Sequence, residues 1–188
     1  MKNSWLKEVL NTSIYLLIVL VVTYLLIVFV VQRTVVNGSS MEPTLIGTDI
    51  LDADKTGDNL LVDKITYRFS EPERFDIIVF PYQYTGEYFI KRIIGLPGET
   101  VQIDEKGYIY INGQVLVESY GKEVMLNPGL AADPIVLADN EYFVLGDNRN
   151  NSKDSRDPGV GNITRDEIIG RAWLRIWPLN RFGILQHQ

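Results

Sequence analysis

The 188-residue chain has no cysteine and a single histidine, His187. Without thiols it can form neither disulfides nor a Cys-ligated zinc site, and it offers no thiol nucleophile and no N-terminal cysteine for lipid attachment. One histidine, next to the last residue, leaves no base for a Ser-His-Asp triad and no ligand set for a His-rich metal centre. A surplus of positive charge is missing as well. The net charge is −6, which argues against nucleic acid as a partner. Repeats, low-complexity tracts and charge blocks are absent after residue 32. Apolar residues make up 46% of the chain and charged residues 22%, with a mean hydropathy of +0.01. That is enough to bury a core and too little for a polytopic membrane protein.

What apolar excess exists is gathered at the front. Residues 14–31 are interrupted only by Tyr15, Thr23 and Tyr24, and at about 1.5 Å per residue they reach about 27 Å, one membrane crossing. A buried core helix would show a polar stripe at helical period, and none is visible. A cleavable leader would have an apolar region of about 7–15 residues and a small-x-small site. Here no alanine precedes Ala53, and the one candidate site is Val36-Asn37-Gly38, so a retained anchor is expected. Lys2 and Lys7 precede the span and only Arg33 closely follows it, a bias that places the N-terminus in the cytoplasm. The chain thus divides into a short cytoplasmic stretch (1–13), a transmembrane anchor (14–31) and an extracytoplasmic domain (32–188). That domain carries 16 Lys and Arg against 23 Asp and Glu, a net charge of −7, which suits an exported soluble domain better than a polybasic, membrane-hugging one.

The domain reads as mainly antiparallel β. Leu60–Ile65, Phe75–Phe80, Tyr88–Ile94, Tyr108–Ile111, Gln114–Val117, Glu141–Leu145 and Ile168–Ile176 are β-branched or aromatic runs parted by Gly, Pro, Asn and Asp. Asn112-Gly113, between two of them, accepts the positive φ angles of a two-residue type I′ turn and predicts a hairpin. No periodic apolar helix of any length follows the anchor.

Three segments carry chemistry or imitate it. Gly38-Ser-Ser-Met-Glu-Pro-Thr-Leu45 is either a connecting turn, with Pro43 barring a helix, or a platform for Ser40 as a nucleophile whose oxyanion is held by nearby backbone N–H groups. Glu87-Tyr-Phe-Ile-Lys-Arg-Ile-Ile-Gly-Leu-Pro-Gly-Glu99 puts Lys91 on one strand face with Phe89 and Ile93, and Arg92 on the other. Lys91 either blunts a sheet edge and snorkels to water, or is desolvated, so that a depressed pKa lets it take a proton from serine. Gly146-Asp-Asn-Arg-Asn-Asn-Ser-Lys-Asp-Ser-Arg156 contains no apolar side chain. It is either a solvated loop of Asx turns or a polar network in which Ser152 bonds the lysine and Asp154 with Arg156 braces the loop.

Taken in order after one apolar span, Ser40-Met41-x-Pro43-Thr44-Leu45, Lys91-Arg92-Ile-Ile-Gly95-Leu96-Pro97-Gly98 and Gly146-Asp-Asn-Arg-x-x-Ser152-x-Asp154-Ser-Arg156 closely resemble the bacterial type I signal peptidases. The resemblance covers nearly the whole chain, including the tail Gly170-Arg-Ala-Trp-Leu-Arg-Ile-Trp-Pro178. It implies a mainly β, single-pass serine endopeptidase of the bacterial cytoplasmic membrane that removes signal peptides from exported preproteins. Its partners would be those signal peptides and the lipid bilayer, with no nucleic acid, metal or cofactor. By motif position Ser40 would be the nucleophile and Lys91 the general base, Ser152 would orient Lys91, and Asp154 and Arg156 would support the site. Val36, Leu45 and Ile90 would line pockets for small side chains before the scissile bond. Some members carry a serine hydroxyl two residues before the nucleophile to complete the oxyanion hole. Here that place is Gly38, so the Ser40 N–H would carry more of the load, with water or the Gly38 backbone beside it. Trp173, Trp177 and Phe182 would either dip into the membrane interface or pack in the core. The short stretch between the second and third motifs implies a reduced accessory subdomain. A self-cleaving Ser/Lys repressor-type protease and an inactive membrane-anchored binding module are the alternatives. The first is disfavoured by the span, the second by the presence of both Ser40 and Lys91.

Overall fold

In the computed structural model, which describes residues 2–48 and 56–186, one helix leads into a domain of strands. His187 lies outside the described residues. Helix α1 (Lys2–Phe29) is apolar over Trp5–Leu25. Those 21 residues, at about 1.5 Å each, span about 31 Å. None of that window is buried against the domain, so its side chains have no protein cover. The helix begins ahead of the expected span of 14–31, with Lys7 and Glu8 already in it, and it ends at Phe29, so Val31 belongs to a strand. The β-branched residues Val31, Thr34 and Val35 pair along a partner strand instead of prolonging the helix.

The strands are β1 (Val31–Val35), β2 (Asn59–Asp63), β3 (Ile77–Pro81), β4 (Tyr88–Gly95), β5 (Thr100–Ile103), β6 (Ile109–Ile111), β7 (Gln114–Val115), β8 (Ile135–Val136), β9 (Glu141–Leu145), β10 (Ile163–Thr164), β11 (Gly170–Trp177) and β12 (Gly183–Ile184). The larger sheet runs β1-β2-β11-β3-β4-β9-β10, with β12 beside β11, and a smaller one runs β7-β6-β5-β8. All these pairings are antiparallel. The fold is thus mainly antiparallel β with one N-terminal apolar helix. The smaller sheet fills the interval between the second and third motifs. After α1 the only helical elements among the described residues are short 3-10 turns.

Local chemistry sets several boundaries. The run Leu60–Ile65 stops at Asp63, whose carboxylate accepts the N–H of Ile65 (2.8 Å) and Thr66 (3.0 Å) and turns the chain. Asn112 and Gly113 adopt φ of 52° and 79° between the paired residues Ile111 and Gln114, so the hairpin stands where the dipeptide predicts it.

Strand β4 lies inside the sheet, paired with β3 and β9, and six consecutive residues from Ile90 to Gly95 are buried. Its apolar side chains enter three clusters. Ile90 packs with Ile77, Val79, Leu45 and Met41, Ile93 with Ile78 and Phe80, and Ile94 with Val101 and Phe143. An interior strand covered on both faces buries both of its cations, Lys91 and Arg92, so the edge-strand reading of Lys91 does not hold. Met41 and Leu45 pin the loop after β1 onto β3 and β4, while Asn37 and Thr48 bridge its two ends. Strand β9 pairs with β4 and runs directly into residues 146–156. The fold therefore brings all three motif segments to one place.

Candidate active site

Ser40 sits half-buried in a turn of the loop that the Asn37–Thr48 bridge closes after β1. The third segment clamps that turn from the far side. Asn148 donates its backbone N–H to Ser40 O (3.0 Å) and its side-chain amide to Ser39 O (3.1 Å), and Asn151 donates to Ser39 Oγ (2.8 Å). Thr44 Oγ1 donates to Asp147 Oδ2 at 2.5 Å. Gly146 makes the close approach possible, because a Cβ there would stand 2.2 Å from Ser152 Oγ and 2.4 Å from Ser40 O.

Lys91 Nζ donates to Ser40 Oγ at 2.9 Å and to Ile90 O at 3.0 Å. Only 4% of the residue is exposed. Burial drives its pKa from 10.5 down to about 8, against the upward pull of Asp154 and Asp147. Neither carboxylate contacts the amine: within the described residues its hydrogen bonds go to Ser40 and Ile90 alone. At pH 7 a pKa near 8 leaves about 10% neutral amine, where an ordinary lysine would leave about 0.03%. A hydroxyl and an amine within hydrogen-bonding distance, with the amine partly neutral, have the chemistry that a nucleophile and its base require.

Behind this pair lie two buried ion pairs. Arg92 grips Asp147 through Nε (2.9 Å) and Nη2 (2.7 Å), with both side chains fully buried, and its guanidinium lies 3.5 Å from the Tyr120 ring centre. Arg156 grips Asp154 through Nε (2.8 Å) and Nη2 (2.9 Å), and it also donates to Arg149 O and Asn127 O. The second oxygen of Asp154 accepts the Gly146 N–H at 3.0 Å. The fork geometry satisfies both carboxylate oxygens at each pair, and removing one partner of such a pair costs about 3–5 kcal/mol. Arg92, Asp147, Asn148 and Thr44 were not singled out from the sequence. The available signal was a charge at position 92 inside an apolar strand, whose partner lies 55 residues away.

The geometry departs from three of the sequence expectations in this arrangement of side chains. The Ser152 hydroxyl is buried but makes no hydrogen bond, to Lys91 or to any other described group. In this arrangement Lys91 spends its two protein contacts on Ser40 and the Ile90 carbonyl. Leu45 is fully buried in the core beneath the Ser40 loop and does not line the cavity beside Ser40, whereas Val36 and Ile90 do. Finally, the Gly38 N–H is committed to Thr48 O at 3.1 Å, so it is not a second oxyanion donor. The Ser40 N–H has no acceptor among the described residues.

The cavity holds about 320 Å³ and runs from Val36 and Ile90 past Ser40 and Lys91 to Asn151 and Lys153. Trp173, Trp177 and Phe182 are 38%, 48% and 60% exposed, so they are not core residues. Among the described residues no three His, Cys, Asp or Glu side chains converge as a metal ligand set.

Comparison with known proteins gives a consistent picture. The family model "Signal peptidase, peptidase S26" matches residues 6–177. A Synechocystis sp. protein named "Probable signal peptidase I-2" is 37% identical over 98% of this chain and 78% of its own length. Signal peptidase I of Leptolyngbya laminosa is 43% identical over 84% of this chain and 74% of its own. The crystal structure of a signal peptidase I from Enterococcus faecalis V583 shares 36% identity, covering 54% of this chain and 97% of that one, with a TM-score of 0.46.

Proposed function

The chain belongs to the signal peptidase family, peptidase S26, a group of serine endopeptidases, and on that footing we propose that it cleaves signal peptides with Ser40 as nucleophile and Lys91 as general base. Neutral Lys91 takes the Ser40 proton, Ser40 Oγ attacks the scissile carbonyl, and the Ser40 N–H supports the oxyanion. The Lys91 ammonium then protonates the departing amine. A water molecule, deprotonated by the neutral Lys91 amine, then attacks the acyl carbon, and the bond to Ser40 Oγ breaks as the Lys91 ammonium returns a proton to that oxygen.

The hydrogen-bond inventory of a neutral amine gives Ser152 its role. Such an amine has one lone pair and two N–H groups. The lone pair faces the Ser40 proton, one N–H reaches Ile90 O, and the other would turn to the Ser152 hydroxyl, which is buried without a partner. The Asp154–Arg156 pair, through the Gly146 N–H, holds the segment that carries Ser152. Helix α1 would anchor the domain to the membrane, and the charge bias around it supports an N-terminus in the cytoplasm with Ser40 at the outer face. A nucleophile so tethered meets the emerging cleavage site by proximity rather than by soluble affinity.

One observation carries this reading: a lysine 4% exposed whose amine lies 2.9 Å from a serine hydroxyl. Cleavage of a model preprotein in detergent by wild type, Ser40→Ala and Ser39→Ala tests it. The Ser40 variant should be inactive and the Ser39 variant active, and the reverse result overturns the assignment.

A further inference from the structure

The loop that carries Ser40 is gripped by a second buried charge cluster, which the reaction does not use. Asp58, just ahead of β2, is fully buried. Its backbone stitches the two legs of the loop together. The Asp58 carbonyl accepts the Val36 N–H at 2.9 Å on the leg that enters, and its own N–H donates to Ile46 O at 2.8 Å on the leg that leaves. Its carboxylate accepts the Ile46 N–H as well, at 3.0 Å. Gly57 lets the chain pass this close, because a Cβ there would stand 2.3 Å from Val36 O. Two cations share the Asp58 carboxylate. Arg175 of β11 brings Nε to 3.2 Å from Oδ2, and Arg181, in the turn after β11, donates Nη1 to Oδ1 at 3.1 Å. One carboxylate balances one guanidinium, so charge pairing alone does not account for the second. The loop does: Arg175 Nη2 donates to Thr44 O at 2.8 Å, and Arg181 Nη2 stands 3.5 Å from the same oxygen.

Thr44 is where two buried ion-pair clusters meet. Its hydroxyl is held by Asp147, the partner of Arg92, and its carbonyl by Arg175, the partner of Asp58. It lies in the turn that the Leu45 N–H closes on Met41 O at 2.9 Å, directly after Ser40, so a displacement of Thr44 is passed to Ser40 through the three residues between them. Lys91 rides on β4, which is fixed by β3 and β9 and not by this cluster. The nucleophile can therefore shift against its base when the grip on Thr44 is lost. We propose that Arg175 is a positioning residue: held by Asp58, it fixes the Thr44 carbonyl and through it the distance of the Ser40 hydroxyl from the Lys91 amine. This rests on the assignment of Ser40 and Lys91 above.

The test compares the full wild-type chain in detergent with Arg175→Met, which loses both contacts, and with Arg171→Met. On the same strand, Arg171 is ion-paired to Asp76 at 3.5 Å and makes no hydrogen bond or ion pair to the loop among the described residues. Cleavage of a model preprotein below the melting temperature of each variant should show kcat lowered about 10- to 100-fold in Arg175→Met, with KM within about twofold of wild type, the scale of a misplacement of about 1 Å between reacting groups. The pH midpoint of kcat should stay near 8, because Lys91 keeps its burial. Arg171→Met should keep the wild-type kcat. Arg175→Lys, whose single ammonium replaces a fork that spans Asp58 and the Thr44 carbonyl, should fall between the two and carries the test if Arg175→Met does not fold. A folded Arg175→Met with wild-type kcat, wild-type kcat in Arg175→Lys where the Met variant is unfolded, or an equal loss in Arg171→Met overturns the proposal. So does a midpoint displaced toward 10.5, since the loss would then come from water reaching Lys91. Turnover by Ser40→Ala would instead overturn the underlying assignment.

Discussion

Replacing Lys91 by Met should separate stability from activity in a way set by pH. The folded lysine has a pKa near 8 and the unfolded one near 10.5. Between these values the unfolded chain binds a proton that the native state does not, so wild-type stability rises with pH across this window. At pH 7 the difference corresponds to about 3 kcal/mol of destabilisation by the buried ammonium, and at pH 10.5 to less than about 0.5. Met removes this penalty but leaves Ser40 Oγ and Ile90 O without a donor, a loss of about 2 kcal/mol that does not vary with pH. The variant should therefore be about 1 kcal/mol more stable than wild type at pH 7 and about 2 less stable at pH 10.5. For a domain of this size each kcal/mol moves Tm by about 2–4 °C, so the difference in Tm should swing by about 6–12 °C. Paired thermal melts in one detergent at the two pH values, followed by tryptophan fluorescence, would measure it, and other titrating groups are common to both chains. If the Tm difference is the same at both pH values, Lys91 is not a desolvated amine and the basis for its role as a base is lost.

Activity of wild type should rise with pH along a single limb with a midpoint near 8, the value to which burial pushes Lys91, and an optimum below pH 6 would contradict this. Lys91→Arg should be inactive at every accessible pH, since a guanidinium does not deprotonate, and measurable turnover in that variant would place the base elsewhere. Ser152→Ala should lower kcat by about 10- to 1000-fold with little change in KM, as expected if its hydroxyl orients the neutral amine in turnover; an unchanged kcat refutes that role. Gly146→Ala should cripple kcat and lower Tm, because the added methyl collides with Ser152 Oγ and the Ser40 backbone carbonyl; wild-type kinetics and melt would show that the loop gives way. Asp154→Ala should lose about 3–5 kcal/mol of stability as well as activity, seen as a lower Tm, because Arg156 is left buried without its partner.

Much of the molecule was legible where chemistry is local. Strand β4 and strand β9 lie within a residue of the runs read from β-branched and aromatic spacing, and Asn112-Gly113 marks its own hairpin. Strand β1 was hidden because Val31 continues an unbroken apolar run, and only pairing with Asp63 and its neighbours reveals where helix gives way to strand. Strands β8, β10 and β12 have two residues each, too few to show a period. Ser40, Lys91 and the Asp154–Arg156 pair could be picked out because their residue types are unusual at those places. Arg92 with Asp147 could not, since alternation says that two adjacent cations point apart but not that both faces are covered. Leu45 failed for a related reason: an apolar residue after a proline reads alike whether it faces a cavity or a core.

The clamp on the nucleophile turn also orders events in time. A chain extending only through Lys91 already has both reactive side chains, but the groups that fix the Ser39–Ser40 backbone come from Asn148 and Asn151, and the grip on Thr44 comes from Asp147. During synthesis the first half of the domain therefore emerges with its chemistry unassembled. The machinery closes only after β9 has paired with β4 and delivered the loop behind it. The late-made strand β9 and the loop behind it thus serve as a safety catch on an unfinished copy.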